Sequence, residues 1–532
     1  VVIGDIERTR LDNIKVMFFV GINDGNVPKK ADSRSVLSES DREYLENKGI
    51  VMSASVREKA FTQRFYLYLI MTKSAEKLYM SYAVKNSEGA VLMPSYIIRN
   101  MRKMFSHCLK LSYKDTAQQN SYVTIPHAAY SYEQTETAAN VDEDIIDSLT
   151  GGRLVGSVTS FENFAECPLR YYLRYGVDLK EREEFTFSPV NFGVVLHAVI
   201  REVCDEIKKN GESYYLISEE KRREMVKRSV AAITDIYQNS ILKDSSRNSF
   251  MIKRMEDLAD RTIWAMGEQL KCGDFVPFVF EHKFNMEVGD GDRKQLMSGT
   301  IDRVDICENG TDVYVRIIDY KTGKKDFNIV KTYYGIDIQL MVYMEAAMKL
   351  VAKMRPGKNV IPAGVFYYNI SDPIVSATTE SAEEIEDKIK GELRLKGMVN
   401  SDKDIAEKMD NTEGTSLNIP VSRKADGGFD SRRSKVMNTE QFNMLGRFVD
   451  VRAIDTADRI AGGDIRRSPY KDGQFSSCDR CPYGAVCGFS VDLPGCNYRK
   501  LKKFDDEVLW NNIKEGVDEN GKKMDTGAEE CD

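Results

Sequence analysis

Hydrophobic and polar positions change period several times along this chain, and each change predicts an element. Val16-Met-Phe-Phe-Val-Gly-Ile22 is an unbroken apolar run, the pattern of a strand buried in a parallel sheet, and it ends in the turn Asn23-Asp-Gly25-Asn-Val-Pro28. From Phe192 the period becomes helical: Phe192, Val195, Leu196, Val199, Ile200, Val203 and Ile207 form one stripe with His197 at its edge. A long helical insertion is expected around 213–270. Two β-rich runs follow, Gly299–Cys307 and Val315–Gly323, with Asn309-Gly310 between them, and a further helix is predicted from Asn438 to about Ile460. The stretch 113–150 is polar and then acidic and reads as a linker. Residues 400–435 are loop-like, and the acidic segment after Phe504 reads as a flexible tail apart from Val508-Leu-Trp510. No internal repeat is visible.

The two β-rich runs carry the most specific chemistry. Asn-Gly between such runs predicts a type I′ hairpin, because both residues accept a positive φ. With 309 and 310 as the turn, Asp302 lies opposite Ile317. Side chains alternate along a strand, so Asp302, Asp319 and Lys321 then share one face. Two carboxylates can hold a hard divalent cation through oxygen, and a lysine beside them can position water or stabilise charge on phosphorus. A surface salt-bridged hairpin is the plainer alternative. On the helix that begins near Ile338, Gln339 and Tyr343 lie one turn apart on one face.

Composition sets limits around this. The chain has 532 residues and a net charge of −7, enough for two or three cores but no advertisement of a nucleic-acid binder. Basic clusters occur at Lys221–Arg223, Arg432–Lys435, Arg466-Arg467 and Arg499–Lys503, the last being the first candidate for a phosphate track. No apolar run approaches a membrane span and no secretory signal is visible, so a bacterial cytoplasm is the expected location and no membrane partner is expected. The start at Val-Val-Ile, without methionine, suggests a piece of something longer. Cys478-Asp-Arg-Cys481-Pro-Tyr-Gly-Ala-Val-Cys487 has ligand spacing. Spacing alone favours Cys496 as a fourth ligand and zinc as the metal. Cys167, far upstream, is the other candidate. The remaining cysteines show no spacing logic.

Taken together, these motifs resemble a known family. Gly-x-x-Asp302 followed by Asp319-x-Lys321 is similar to the PD-(D/E)XK nuclease core. Gly193-x-x-x-His197 and Gln339-x-x-x-Tyr343 resemble the flanking motifs of its RecB-type branch. Ser157–Phe161, Cys167-Pro-Leu-Arg-Tyr-Tyr, Pro362–Ile370 and Leu395–Val399 add a likeness to the C-terminal half of the AddB (RexB) family, helicase-nuclease subunits, over most of residues 152–500. The resemblance implies an α/β fold, a restriction-endonuclease-like core with helical insertions (152–500). Before it would stand a degenerate RecA-like helicase segment and linker (1–150), and after it the tail (505–532). Arg64–Lys73 looks like the last ATPase motif of superfamily-one helicases, but Thr72-Lys73 stands where those have Thr-Arg, and Asp5–Arg10 replaces the usual Lys-Gly-Leu-Glu. No G-x(4)-G-K-[ST] loop occurs, so ATP hydrolysis by these residues alone is not expected.

The resemblance further implies roles. His197, Asp302, Asp319 and the Tyr320 carbonyl would bind Mg²⁺; Lys321 would assist the attacking water; Gln339 and Tyr343 would orient the DNA strand or the surrounding groups. Cys167, Cys478, Cys481 and Cys487 would hold a structural [4Fe-4S] cluster stapling the two ends of the nuclease domain. The implied activity is a DNA exonuclease leaving 5′-phosphates, working with an AddA-type partner subunit at double-strand breaks. The alternatives are an iron-sulfur nuclease of another RecB-type branch, such as the CRISPR-associated exonucleases, or a non-catalytic DNA-binding scaffold with a local zinc site.

Overall fold

The apolar run at Val16 forms a strand, but only part of it is buried. In the computed structural model, which describes residues 4–6, 14–29, 38–50, 55–85, 91–106, 140–142, 145, 155–180, 189–236, 246–288, 295–376, 381–489, 491 and 496–527, the run forms β1 (Ile14–Phe19). Met17 and Phe19 turn inward while Val16 and Phe18 are exposed, so the strand alternates where full burial was expected. After α1 (Glu39–Asn47), a capping box between Ser55 and Glu58 starts α2 (Val56–Met71), which crosses to β2 (Ser74–Met80), parallel to β1. Thr72 ends α2 by donating its hydroxyl back to the Tyr68 carbonyl at 2.8 Å. With α3 (Tyr96–Met104) these elements lie in one compact unit, Val1–Tyr132; the second is Glu133–Asp532. Most of the stretch read as a linker lies outside the described residues.

The second unit runs β3 (Val155–Ser157), α4 (Val158–Glu166), α5 (Pro189–Lys209), α6 (Glu219–Ile236), α7 (Ser246–Lys271), β4 (Val276–Val288), β5 (Gln295–Asn309) and β6 (Asp312–Lys321). It continues α8 (Gln339–Met354), β7 (Asn359–Asn369), α9 (Ala382–Glu392), β8 (Lys396–Asn400), α10 (Lys403–Met409), β9 (Val436–Met437) and α11 (Thr439–Ala461). It ends β10 (Tyr470–Asp472), β11 (Phe475–Ser476), β12 (Arg499–Lys500) and α12 (Asp506–Gly527). One mixed sheet runs β3-β5-β6-β7-β8-β9, with β4 also paired to β5. Helices cover both faces. The predicted stripe of α5 is buried with Met225 and Val230 of α6 and Met255 and Ile263 of α7 against Tyr314, Ile318 and Tyr320 of β6. The opposite face of β6, Val313, Val315 and Ile317, packs on Leu340, Val342 and Ala347 of α8 and on Phe442 and Leu445 of α11. Burying each such aliphatic side chain contributes roughly 1.5–3 kcal/mol.

Three sequence expectations change. The hairpin turns at Gly310-Thr311, with Asn309 paired to Asp312, two positions from the expected register. Only Gly310 takes a positive φ, 60°. Asn309 stays in the strand because its amide donates to Tyr314 Oη at 3.2 Å and Asp404 Oδ2 at 3.1 Å. The loop-like stretch 400–435 contains α10, capped by Asp402. The expected flexible tail contains α12, which buries Leu509 and Ile513 against the α8–α11 side of the core.

Between α8 and α11 lies a cavity of about 540 Å³ lined by Met341, Met348, Phe442, Glu345 and Asp450. Burial, and then the adjacent Glu345 carboxyl, push the Asp450 pKa up to about 8. The fold therefore takes up a proton that the unfolded chain, with an ordinary carboxylate near pH ~3.9, does not hold. That contribution is complete below the unfolded pKa and is lost as pH rises through about 8. Asp450→Asn is expected to remove it, so that in thermal melts the variant gains on wild type as pH rises from 5 to 9.

Candidate active site

β5 and β6 part company where the chemistry begins. Their last ladder pair is Arg303–Ile318, and beyond it β5 pairs with β3 at Leu296–Ser298. Asp302 and Asp319 stand one residue past that last pair, at the mouth of the fork, and the Tyr320 amide donates to Asp302 Oδ2 at 2.7 Å where a ladder bond would continue. The turn shift of two residues leaves the face of each side chain unchanged, since strand side chains repeat every two. Gly299 lies three residues before Asp302 on β5: a Cβ there would sit 2.6 Å from Phe284, whose ring packs edge-on against Tyr343.

On one side of the fork, α5 brings His197 and β4 brings Glu281. His197 Nδ1 lies 3.5 Å from Asp302 Oδ1 and 3.6 Å from Glu281 Oε1. Ligand atoms of His197, Glu281 and Asp302 all lie within 4.8 Å of one another, and this is the one such group of three or more among the described residues. Glu281 reaches it from a left-handed backbone, φ 46°, which is strained for a non-glycine residue. Burial alone would depress the His197 pKa, but the adjacent Asp302 and Glu281 carboxylates outweigh it and lift it to about 10. One imidazole and two carboxylates suit a hard or borderline divalent cation, which can replace that proton.

On the other side stand Asp319, Lys321, Gln339 and Tyr343. Asp319 is 2% exposed; burial, then the charge of Asp302, raise its pKa to about 6 against the pull of Lys321. Lys321 Nζ is 2.5 Å from Asp319 Oδ2, yet that buried oxygen accepts no aligned hydrogen bond. Its charge is instead met by the ion pair with that ammonium. Lys321 also donates to Gln339 Oε1 at 3.0 Å, and Gln339 Nε2 donates to Tyr343 Oη at 2.9 Å.

The expected residues thus fall into two neighbouring sets: His197 with Asp302, and Asp319 with Lys321, Gln339 and Tyr343. Asp319 does not join the three-ligand group; Glu281 does. Sequence reading missed Glu281 because its placement depends on a backbone excursion, although a Glu-His pair interrupting the aromatic run Val276–Phe284 was a visible irregularity. At Tyr320 the structure brings the amide to Asp302, and its ring meets His197 edge-on with centroids 5.9 Å apart.

The iron-sulfur expectation is overturned. Among the described residues the only group able to hold a metal uses His, Glu and Asp, and no cysteine belongs to it. Cys167, Cys478, Cys481, Cys487 and Cys496 are all free, so the local zinc set fails on the same ground. Burial pushes the Cys478 thiol up to about 11 and raises Cys167 and Cys487, which favours neutral thiols. Hydrogen bonds join the two ends of the unit instead: Tyr483 Oη to the Leu179 carbonyl at 2.9 Å, the Leu169 amide to the Arg466 carbonyl at 3.3 Å, and Arg499 to the Ala165 carbonyl. Arg499 is thereby turned inward and lost to the expected phosphate track, though Lys500, Lys502 and Lys503 are exposed. Arg222, Arg466 and Lys435 of the other basic clusters are engaged by Asp260, Asp464 and Asp326. No helix among the described residues is long and apolar enough to cross a membrane.

Comparison with known proteins agrees with this geometry. The chain is similar to the B-type subunit of the ATP-dependent helicase/deoxyribonuclease of Lachnoclostridium phytofermentans, 32% identical over 100% of this chain and 50% of the relative. The proteins of the same description from Clostridium acetobutylicum (30% identical, 98% and 50%) and Caldanaerobacter subterraneus subsp. tengcongensis (30%, 100% and 50%) match as broadly. The chain spans about half the length of these curated relatives. Residues 156–488, which contain the fork and every residue around it, match the family model of the PD-(D/E)XK nuclease superfamily. The chain is an α/β protein belonging to that superfamily, whose membership carries metal-dependent nuclease activity in general terms.

Proposed function

We propose that this chain is a Mg²⁺-dependent DNA exonuclease that cleaves phosphodiesters to leave 5′-phosphates, in a subunit that acts with an AddA-type helicase-nuclease at double-strand breaks. The observation that carries the reading is the convergence of His197, Glu281 and Asp302 within 4.8 Å, beside the ion pair of Asp319 with the Lys321 ammonium. His197, Glu281 and Asp302 would hold the cation, with Asp319 and the Tyr320 carbonyl offering further oxygens across the fork. When bound, such a cation polarises the phosphoryl group and lowers the pKa of a water. Lys321, held by Gln339, would place its ammonium against the developing charge on phosphorus or steer the attacking water. Gln339 and Tyr343 would hold that amine in place. The N-terminal unit, with its parallel β1–β2 pair and no G-x(4)-G-K-[ST] motif in its sequence, would serve as a helicase-like scaffold and not as a motor. The partner and the break-resection role rest on the relatives' description.

Chelation is expected to stop digestion of end-labelled DNA and Mg²⁺ to restore it. Glu281→Gln should raise the Mg²⁺ concentration for half-maximal rate by about tenfold or more. Undiminished cleavage in excess chelator would refute the reading, and 3′-phosphate products would refute its chemistry.

A further inference from the structure

The helix that carries Gln339 begins without a cap of its own. Its N-cap residue is Ile338, which has no side-chain acceptor to offer the orphan amides of the first turn. Those amides are satisfied from another element: Glu162 of α4 accepts from the Ile338 amide at 2.9 Å and the Gln339 amide at 3.0 Å, both through Oε1. The contact spans 176 residues of sequence and joins the segment leading to Cys167 to the fork. A carboxylate at a helix N-terminus also meets the positive end of the helix dipole. Gln339 is the first residue of α8, and its side chain divides between Lys321 and Tyr343. An unbroken path therefore runs from Glu162 through the Gln339 backbone and amide to Lys321, and so to Asp319.

We propose that Glu162 is a positioning residue: it caps α8 from a separate helix and thereby fixes the Gln339 amide that orients Lys321. The inference rests on the role proposed for Lys321 and adds to it a residue outside the motif positions. Charged neighbours surround the carboxylate, Lys325 and Lys321 drawing its pKa down and Asp337 pushing it up, while burial dominates and brings it to about 7. Asp337 is itself held by Lys325 at 3.0 Å and by Tyr367 Oη at 2.6 Å, so it cannot substitute as the cap. The role needs an oxygen acceptor at that place and not a charge.

Two variants separate these. Glu162→Ala removes the acceptor; Glu162→Gln keeps one as an amide carbonyl. In Glu162→Ala we expect hydrogen exchange of the 336–341 segment to speed up severalfold, and kcat on end-labelled DNA to fall between about ten- and a hundredfold with KM little changed. Glu162→Gln should stay near wild type in both. If Glu162→Ala does not fold, Glu162→Asp, which withdraws the oxygens by one methylene, should show the same loss. Unchanged exchange in Glu162→Ala, or Glu162→Gln as slow as Glu162→Ala, would overturn the proposal. Cleavage at the wild-type rate by Asp319→Asn would instead overturn the nuclease reading, a result on which the exchange measurement does not depend.

Discussion

Asp319→Asn is expected to lower the initial rate of DNA cleavage by roughly a thousandfold or more while leaving the melting temperature at pH 8 unchanged or raised. The two halves of this expectation have one cause. Asp319 is buried beside a second carboxylate, Asp302, and burial with that neighbour lifts its pKa to about 6. A carboxyl whose folded pKa lies above its unfolded value stabilises the fold fully only below the unfolded pKa, near ~3.9, and that contribution is lost as pH rises through the folded one. At pH 8 the ionised group is therefore a burden on the fold. Asparagine keeps the shape and removes the charge. The loss falls on function: the oxygen that lacks a hydrogen bond becomes part of a neutral amide, a far poorer partner for a cation, and Lys321 loses the anion 2.5 Å away. Lys321 is partly exposed, so solvent can compensate it. Parallel measurement of cleavage rate and thermal melting decides the matter. A variant that loses activity only by melting would make Asp319 structural, and one that cuts at the wild-type rate would remove it from the site.

The parts of the site that follow from strand pitch are legible in the sequence alone. Asp302, Asp319 and Lys321 depend only on parity, and a two-residue error in the turn preserves it. The stripe from Phe192 to Ile207 is equally secure, because seven apolar positions at one period leave little freedom. What fails depends on path. Glu281 reaches His197 through a φ that an alternating strand does not contain, and Glu162 caps α8 through a contact between helices far apart in sequence. The cysteine spacing is a real pattern, but spacing does not fix ligand geometry, and among the described residues no metal-holding group includes a cysteine, while Tyr483 and Arg499 tie the ends of the unit. The signal for α12 was present. Leu509 and Ile513 repeat at four residues, the period that identifies α5.

Beneath the fork lies the feature with the largest expected effect on stability. Asp305 is fully buried between two arginines: Arg303 contacts it through both nitrogens of its fork, at 2.7 and 2.6 Å, and Arg316 Nε reaches it at 2.9 Å. Burial works against the Asp305 carboxylate, but the two guanidinium groups outweigh it and hold its pKa below the usual range. Two buried cations share one anion, and Arg316 finds further compensation in the face of Phe275, 4.8 Å from its centre, and in the charge of Asp410. Asp305→Ala would leave both cations without that anion in the interior, so a loss of about 3–5 kcal/mol is expected, measurable as a lower denaturant midpoint with unchanged slope. Replacing all three, as Arg303→Met, Asp305→Leu and Arg316→Met, removes the charges together with the cost of burying them. That triple variant should recover most of the lost stability. Its activity is then the informative readout. Arg303 belongs to the last ladder pair before the fork, Arg316 lies two residues before its other member Ile318, and two residues beyond Ile318 the Tyr320 ring meets His197. If the triad sets the register of β5 on β6, the triple variant will fold yet cleave poorly; if the triad only fills space, cleavage will return with stability.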